Sequence, residues 1–376
     1  MKKILYLTNH LGMGGAESLI KDYCLMIDKS EYEVLVVLTG KSRNSYNEQV
    51  LREHNVQMIF LSDIIDRNEK DFYVNRIIKK IRQYRLFNQI VDKEKPDVIH
   101  SHLSTNDFLK YTNTDGIKLF YTIHNEVNSM FKKQGTRLER ATKYCVDKKG
   151  LTLIALNEKI ANDAINKFNT TNVTVLNNGI DMNKFNMQSM DSTQVKKQLN
   201  LPSDAYVIGH IGRFMPQKNH DFLIDIFEQV VKKNNNAYLI LIGSGEGQEQ
   251  IKNKVENLGL SNSVLFLGNR SDIPELLSIM DTFILPSKFE GFPIVLIEAQ
   301  TLKVKCVVSN TISREVKLTN LVQFIDLNDP IYLWVDKILE KDPCYEEFNL
   351  LDYDMKRVIK KLEALYSGNE LVKGKS

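Results

Sequence analysis

The sequence predicts an α/β protein made of two doubly wound, Rossmann-like domains in tandem. Three observations carry this. Short apolar, β-branched runs alternate with longer amphipathic segments along the whole chain. Thirteen such runs are too many for one compact doubly wound sheet. A chain of 376 residues exceeds one ordinary core and suits two.

In the first half the strand-like runs are "KILYLTN", "YEVLVVLTG", "VQMIFLS", "DVIHSH", "KLFYTIHN", "LTLIALNE" and "VTVLNNG". In the second they are "YVIGHIG", "AYLILIG", "SVLFLGN", "TFILPS", "KCVVSN" and "VQFID". Helical patterns lie between most of them, as in "DFLIDIFEQVVKK", where Phe222, Ile226, Phe227 and Val230 share a face. This alternation implies parallel sheets covered on both sides. The polar segment Asn183 to Ala205 lacks a strand pattern and ends in Leu-Pro-Ser-Asp, so it reads as the seam. Near the end, Met355, Val358, Ile359, Leu362 and Leu365 mark a last amphipathic helix. The expected domains are 1–185, 186–352, and a helix and tail over 353–376.

Composition excludes several classes. Net charge is only +3, which gives no nucleic-acid signal. The balance is uneven: residues 1–185 hold 28 Lys and Arg against 22 Asp and Glu, and the remainder is net negative. Cys24, Cys145, Cys306 and Cys344 are scattered, with neither a C-x-x-C nor a disulfide spacing. No run approaches the length of a membrane span, and the N-terminal apolar run is too short for a signal peptide. A cytoplasmic protein is expected.

Ligands of open α/β sheets bind at the carboxyl ends of strands, and the distinctive loops fall there. "NHLGMGGAES" follows the first strand; Gly12, Gly14 and Gly15 allow close backbone approach, and the next helix start favours a phosphate. It is neither G-x-G-x-x-G, because Glu17 takes the last position, nor a Walker A loop. A plain glycine turn remains open. "GHIGRFMPQKNHDFL" places Arg213 and Lys218 on a strand-to-helix loop, a planar fork and a point charge suited to a diphosphate. Two solvated surface charges are the alternative. "LILIGSGEGQEQI" adds Gly243, Gly245 and Gly247, alone a weak signal.

"KFEGFPIVLIEAQ" puts Glu290 before Gly291-Phe292-Pro293 and Glu298 inside an apolar helix. Pro293 suits a first helical turn. A carboxylate among aliphatics needs a partner, and Glu298 could accept both hydroxyls of a ribose or pair with a lysine or an amide. His100, His102 and His124 end strands of the first half. A metal site is disfavoured, because alternate strand residues are joined by no carboxylate or thiol ligand pattern. Hydrogen bonding to a sugar or leaving group fits better, with at least one histidine structural.

The ordered set "GGAES", "HSHLS", "NNGID", "GRFMPQKNH", "IGSGEG", "FLGNRSDI" and "LPSKFEGFPIVLIEA" resembles glycosyltransferase family 4 along nearly the whole chain. The resemblance implies a GT-B fold: two Rossmann-like domains with a cleft between them and a C-terminal helix crossing back to the first. It implies a retaining, metal-independent enzyme with no cofactor. The expected reaction moves a hexose or N-acetylhexosamine from a nucleotide diphosphate sugar, UDP-sugar favoured, to a hydroxyl of a glycan or lipid-linked acceptor. Capsule, exopolysaccharide or O-antigen assembly is the implied setting.

By the same resemblance, Arg213 and Lys218 bind the diphosphate, Glu290 the sugar hydroxyls and Glu298 the ribose. Gly14, Gly15, Gly245, Gly291 and the amides around Phe292, Pro293, Ile294 and Val295 line the donor. Asn269 and Arg270 fall near the nucleobase, and His124 near the reaction centre. His100 and His102 are acceptor-side candidates. A sugar-nucleotide epimerase of GT-B shape is the alternative; an NAD-dependent oxidoreductase is further off, lacking the full fingerprint.

The acceptor should meet the basic first domain. "RIIKKIRQYRLF" has five basic residues and no acid, with Ile77, Ile78, Ile81 and Tyr84 at helical spacing. It reads either as a sheet-covering helix with a solvated basic face or as a peripheral contact with the inner face of an anionic membrane.

Overall fold

The computed structural model describes residues 1–67, 76–131, 136–185, 191–341, 346 and 350–368. Cys344 and part of the seam lie outside them. All thirteen strand-like runs form strands. In the first half these are β1 (Lys2–Thr8), β2 (Tyr32–Leu38), β3 (Gln57–Phe60), β4 (Val98–His102), β5 (Lys118–Ile123), β6 (Thr152–Ala155) and β7 (Val173–Val175). In the second they are β8 (Tyr206–Ile211), β9 (Ala237–Ile242), β10 (Val264–Gly268), β11 (Thr282–Leu285), β12 (Lys305–Ser309) and β13 (Val322–Ile325).

They make two sheets, ordered β3-β2-β1-β4-β5-β6-β7 and β10-β9-β8-β11-β12-β13, with every named pair parallel. Burial on both faces explains the continuous apolar runs: β1 buries Ile4 through Thr8, and β12 is buried throughout. In each sheet the winding reverses once, between β1 and β4 and between β8 and β11. At such a switch point the flanking loops diverge to opposite faces and leave a crevice at the carboxyl ends.

The chain forms two compact units, Met1–Gly179 with Met355–Ser376, and Ile180–Asp354. Residues 180–185 cluster with the second unit. The passing segments are held there by Ile180 N–H donating to the Tyr353 carbonyl at 2.9 Å. Gly179 is required by the closeness of the returning chain: a Cβ on it would meet Met355 Cα at 2.9 Å and Val358 Cγ2 at 2.9 Å.

The last helix, Met355–Ser367, packs within the first unit and buries Met355, Val358, Ile359, Leu362 and Tyr366. Tyr366, rather than Leu365, completes its apolar face, because its hydroxyl reaches His100 Nδ1 at 2.6 Å. In the second unit, helix His220–Lys233 buries Leu223, Ile224, Ile226, Phe227 and Val230 in a core shared with Trp334. Phe222 stays partly buried, edge-on to that indole. The described part of the seam holds no strand, only a 3-10 turn, Met182–Phe185, and a helix, Ser192–Gln198. Among the described residues no helix is long and apolar enough to cross a membrane.

Candidate active site

In the second unit the loops after β8 and β11 border the switch point, which explains why residues 72 apart in sequence meet. Five bonds stitch them. Asn219 Nδ2 donates to the Pro286 carbonyl at 3.2 Å, and Gln217 Nε2 to the Phe289 carbonyl at 2.9 Å. Lys288 N–H donates to the Gln217 carbonyl at 2.8 Å. Lys218 Nζ lies 2.6 Å from Glu290 Oε1, and both side chains are largely buried. Gln217 Nε2 also reaches Glu290 Oε2 at 3.4 Å. Arg213, on the same loop, is exposed.

Two histidines stand behind Lys218. His210 is the penultimate residue of β8, with Nδ1 2.9 Å from the Ile284 carbonyl; His220 opens the next helix and stacks on Phe214 at 4.2 Å. Burial lowers His210 well below the ordinary histidine value, with His220 adding to it. Burial and the nearby Lys218 charge bring His220 down to about 4. Both are neutral near pH 7, so neither weakens the cation at Lys218. Sequence reasoning passed them over; "HIGR" and "KNHD" flanking the cationic loop were the available signal.

Glu290 is followed by buried Gly291, Phe292 and Pro293. Phe292 stacks parallel on Tyr353 at 5.8 Å. Pro293 is the N-cap of helix Ile294–Thr301, one position before the first turn where it was expected, and it caps no amide. The helix start therefore presents uncapped N–H groups, an anion-favouring end. Glu298 is half-buried, between buried Ile297 and Ala299.

The third glycine loop is fixed by packing. Gly243 has φ +133°, and a Cβ on Gly245 would meet the Phe214 carbonyl oxygen at 2.6 Å. The loop lies against the backbone of the Arg213–Phe214 segment, which accounts for Gly245 without a ligand. Arg270 is clamped to Asp272, with Nε 2.8 Å from Oδ1; Asn269 beside it is exposed.

In the first unit, Gly14 caps helix Gly15–Met26 with no side-chain bond, so this helix start is also uncapped. Glu17 lies buried in its first turn, Oε1 3.6 Å from His10 Nδ1. Across the switch point, His102 ends β4 and His124 follows β5; His102 Nδ1 and His124 Nε2 are 2.9 Å apart. Burial lowers His124 to about 4, and holds His102 well below the ordinary histidine value with His100 and His124 adding to it. His124 is half-buried while His102 is fully enclosed.

His100 is a structural residue rather than an acceptor contact. It is fully buried, with Nδ1 bonded to Tyr366 and Nε2 to Thr122 Oγ1 at 2.7 Å. Enclosure likewise takes His102 away from direct contact and makes it the neighbour that orients His124. Among the described residues no group of three or more His, Cys, Asp or Glu is placed to hold a metal ion.

Comparison with known proteins agrees with this layout. Anabaena HepE, solved in complex with UDP and glucose, superposes with a TM-score of 0.71 at 19% identity, covering 98% of this chain and 95% of that one. That likeness shows a fold of GT-B type. The family model Glycosyltransferase Family 4 matches residues 13–184, and Glycosyl transferases group 1 matches 191–320. The chain belongs to this family of glycosyltransferases. The Bacillus subtilis (strain 168) protein EpsF is 25% identical over 347 residues, 90% of this chain and 87% of EpsF. The Escherichia coli UDP-Gal:alpha-D-GlcNAc-diphosphoundecaprenol alpha-1,3-galactosyltransferase is 26% identical over 322 residues, 79% of this chain and 83% of the relative.

Proposed function

We propose that this glycosyltransferase moves a hexose or N-acetylhexosamine from a UDP-sugar to a hydroxyl of a glycan or lipid-linked acceptor in surface polysaccharide assembly, with retention and without a metal. The observation that carries it is the Lys218–Glu290 pair beside the uncapped start of helix Ile294–Thr301. A diphosphate needs cations and free amides; a sugar needs a hydroxyl acceptor. Both lie within one stitched pair of loops. The relative in Escherichia coli, whose printed name specifies UDP-Gal and a diphosphoundecaprenol acceptor, supports the choice of nucleotide and acceptor class.

In this mechanism Lys218, Arg213 and the helix start stabilise charge developing on the leaving diphosphate. The bond from the sugar anomeric carbon to the phosphate oxygen breaks. A new bond to the acceptor oxygen forms on the same face, and the diphosphate takes the acceptor proton. Glu290 orients the sugar hydroxyls, Glu298 the ribose, and the neutral His124 hydrogen-bonds the sugar end. Thermal-shift screening against UDP, GDP and ADP, each with and without its sugar, tests the donor, and UDP should give the largest shift. UDP release from the UDP-sugar should then require an acceptor. Release of free UDP alongside an epimerised sugar without acceptor would favour the epimerase.

A further inference from the structure

The loop after β1 is tied down on both sides of one residue. Asn9 accepts from Ser104 N–H at 3.1 Å and donates to Thr39 Oγ1 at 3.3 Å. Ser45 Oγ donates to the Leu11 carbonyl and Asn47 Nδ2 to the Gly12 carbonyl. His10 stands between these anchors. Its Nδ1 is enclosed, without a hydrogen bond among the described residues, and faces Glu17 Oε1 at 3.6 Å. The side chain as a whole is 25% exposed, so the exposure falls on the far edge of the ring, where Nε2 lies.

Glu17 is the costly member. It is 2% exposed in the first turn of helix Gly15–Met26, and its Oε2 is enclosed with no partner among the described residues. Burying a carboxylate with a spare oxygen is unfavourable, and the helix dipole offsets only part of that. The same helix fills the core with Leu19, Ile20, Tyr23 and Cys24, so packing alone calls for an apolar side chain here. A buried charge that breaks the local rule points to a functional position. The group it faces is the His10 ring.

We infer that Glu17 holds His10 with its proton on Nδ1, and that the His10 Nε2 lone pair accepts a hydrogen bond from a hydroxyl of the glycan acceptor. A carboxylate behind one ring nitrogen fixes the tautomer and leaves the other nitrogen facing outward as an acceptor. The 3.6 Å gap is longer than a hydrogen bond, as such contacts often are before the outer nitrogen is engaged. Charge selects the ligand. Glu17 already occupies the positive end of this helix, so a phosphate there would meet a second anion, whereas a neutral hydroxyl would not. Glu17 is thus a positioning residue and His10 the contact. Naming the hydroxyl as the acceptor's rests on the proposed transfer; the tautomer and the carbohydrate contact do not.

Nitrogen NMR of the full chain with isotope-labelled histidine tests it, the His10 signals being identified by their loss in His10→Ala. Without ligand, His10 should be protonated on Nδ1 and bare at Nε2. Methyl α-glycosides of galactose, glucose and N-acetylglucosamine, added without nucleotide, are the probes, and at least one should move the Nε2 signal. Glu17→Met should give His10 a mixture of tautomers and weaken glycoside binding at least about fivefold. Its Tm should be equal or higher, since an apolar chain replaces a buried charge. His10→Ala should weaken binding as much, read on the glycoside signals, and it decides the contact if Glu17→Met does not fold. The UDP-induced thermal shift should be unchanged in both variants, so failure of the nucleotide site is read separately. His10 protonated on Nε2, a tautomer unchanged in folded Glu17→Met, or no glycoside effect at Nε2 overturns the inference. Loss of the glycoside effect once UDP-galactose or UDP-N-acetylglucosamine is bound overturns it too, because the hydroxyl would then be the donor sugar's.

Discussion

Lys218 Nζ and Glu290 Oε1 lie 2.6 Å apart, joining the loops after β8 and β11. Each balances the other while both are largely buried. In the proposed reaction a diphosphate binding Lys218 would compete with Glu290 for it and would free the carboxylate for the sugar.

Lys218→Ala and Glu290→Ala should each reduce turnover by at least about a hundredfold with the fold retained. Each single change strands a buried charge and should cost roughly 3 kcal/mol, whereas the double substitution should cost less than their sum. Urea unfolding of the four proteins, with single-turnover rates, checks both statements. Wild-type rates in either folded single variant would remove the assignment.

His124 and His100 should separate function from structure. His124→Ala should lower turnover by about a hundredfold while leaving stability nearly unchanged, because its ring is half-buried beside His102. His100→Phe should leave turnover within about twofold yet destabilise by roughly 1–3 kcal/mol, since it removes the partner of the Thr122 hydroxyl and leaves the Tyr366 hydroxyl only its 3.2 Å bond to Tyr6. Paired kinetics and denaturation on both variants decide it.

Stability should fall in mild acid. His100, His102 and His210 are held well below the ordinary histidine value, and His124 and His220 near 4. Between about pH 4 and 6.5 the unfolded chain binds protons that the folded chain refuses. Stability is thus fully present above about pH 6.5 and is lost as pH drops, by up to about 1.4 kcal/mol per pH unit for each histidine. Tm should drop clearly between about pH 7 and pH 5. A flat profile would contradict the buried neutral state.

Gly179→Ala should destabilise by about 1–3 kcal/mol, because the added methyl would press on the Met355 backbone, which moves only with the returning helix. Calorimetry of this variant beside a Gly116→Ala control, whose Cβ meets nothing within 4 Å, separates crowding from backbone strain.

The strands were legible because each is written locally, in three to seven mostly β-branched and apolar residues, which in central strands such as β1 and β12 are buried on both faces. So were the loops bearing Arg213, Lys218 and Glu290, since glycine, proline and charge punctuate strand ends. The cause of Gly245 was not legible: packing against Phe214 and binding a ligand call for the same residue. Nor was the fate of the three strand-end histidines, because alternation along a strand says which side a ring faces and not what waits there.

By itself, then, the sequence determined two wound sheets and the loops that carry the chemistry, through short-range period and turn residues. Tertiary structure decided which loops meet. It set β8 beside β11, so that Lys218 found Glu290 across 72 positions; it enclosed His100 under Tyr366; and it left Ile77, Ile78 and Ile81 exposed. Periodicity marks a helix's apolar face, but only the packed neighbours determine whether that face is covered.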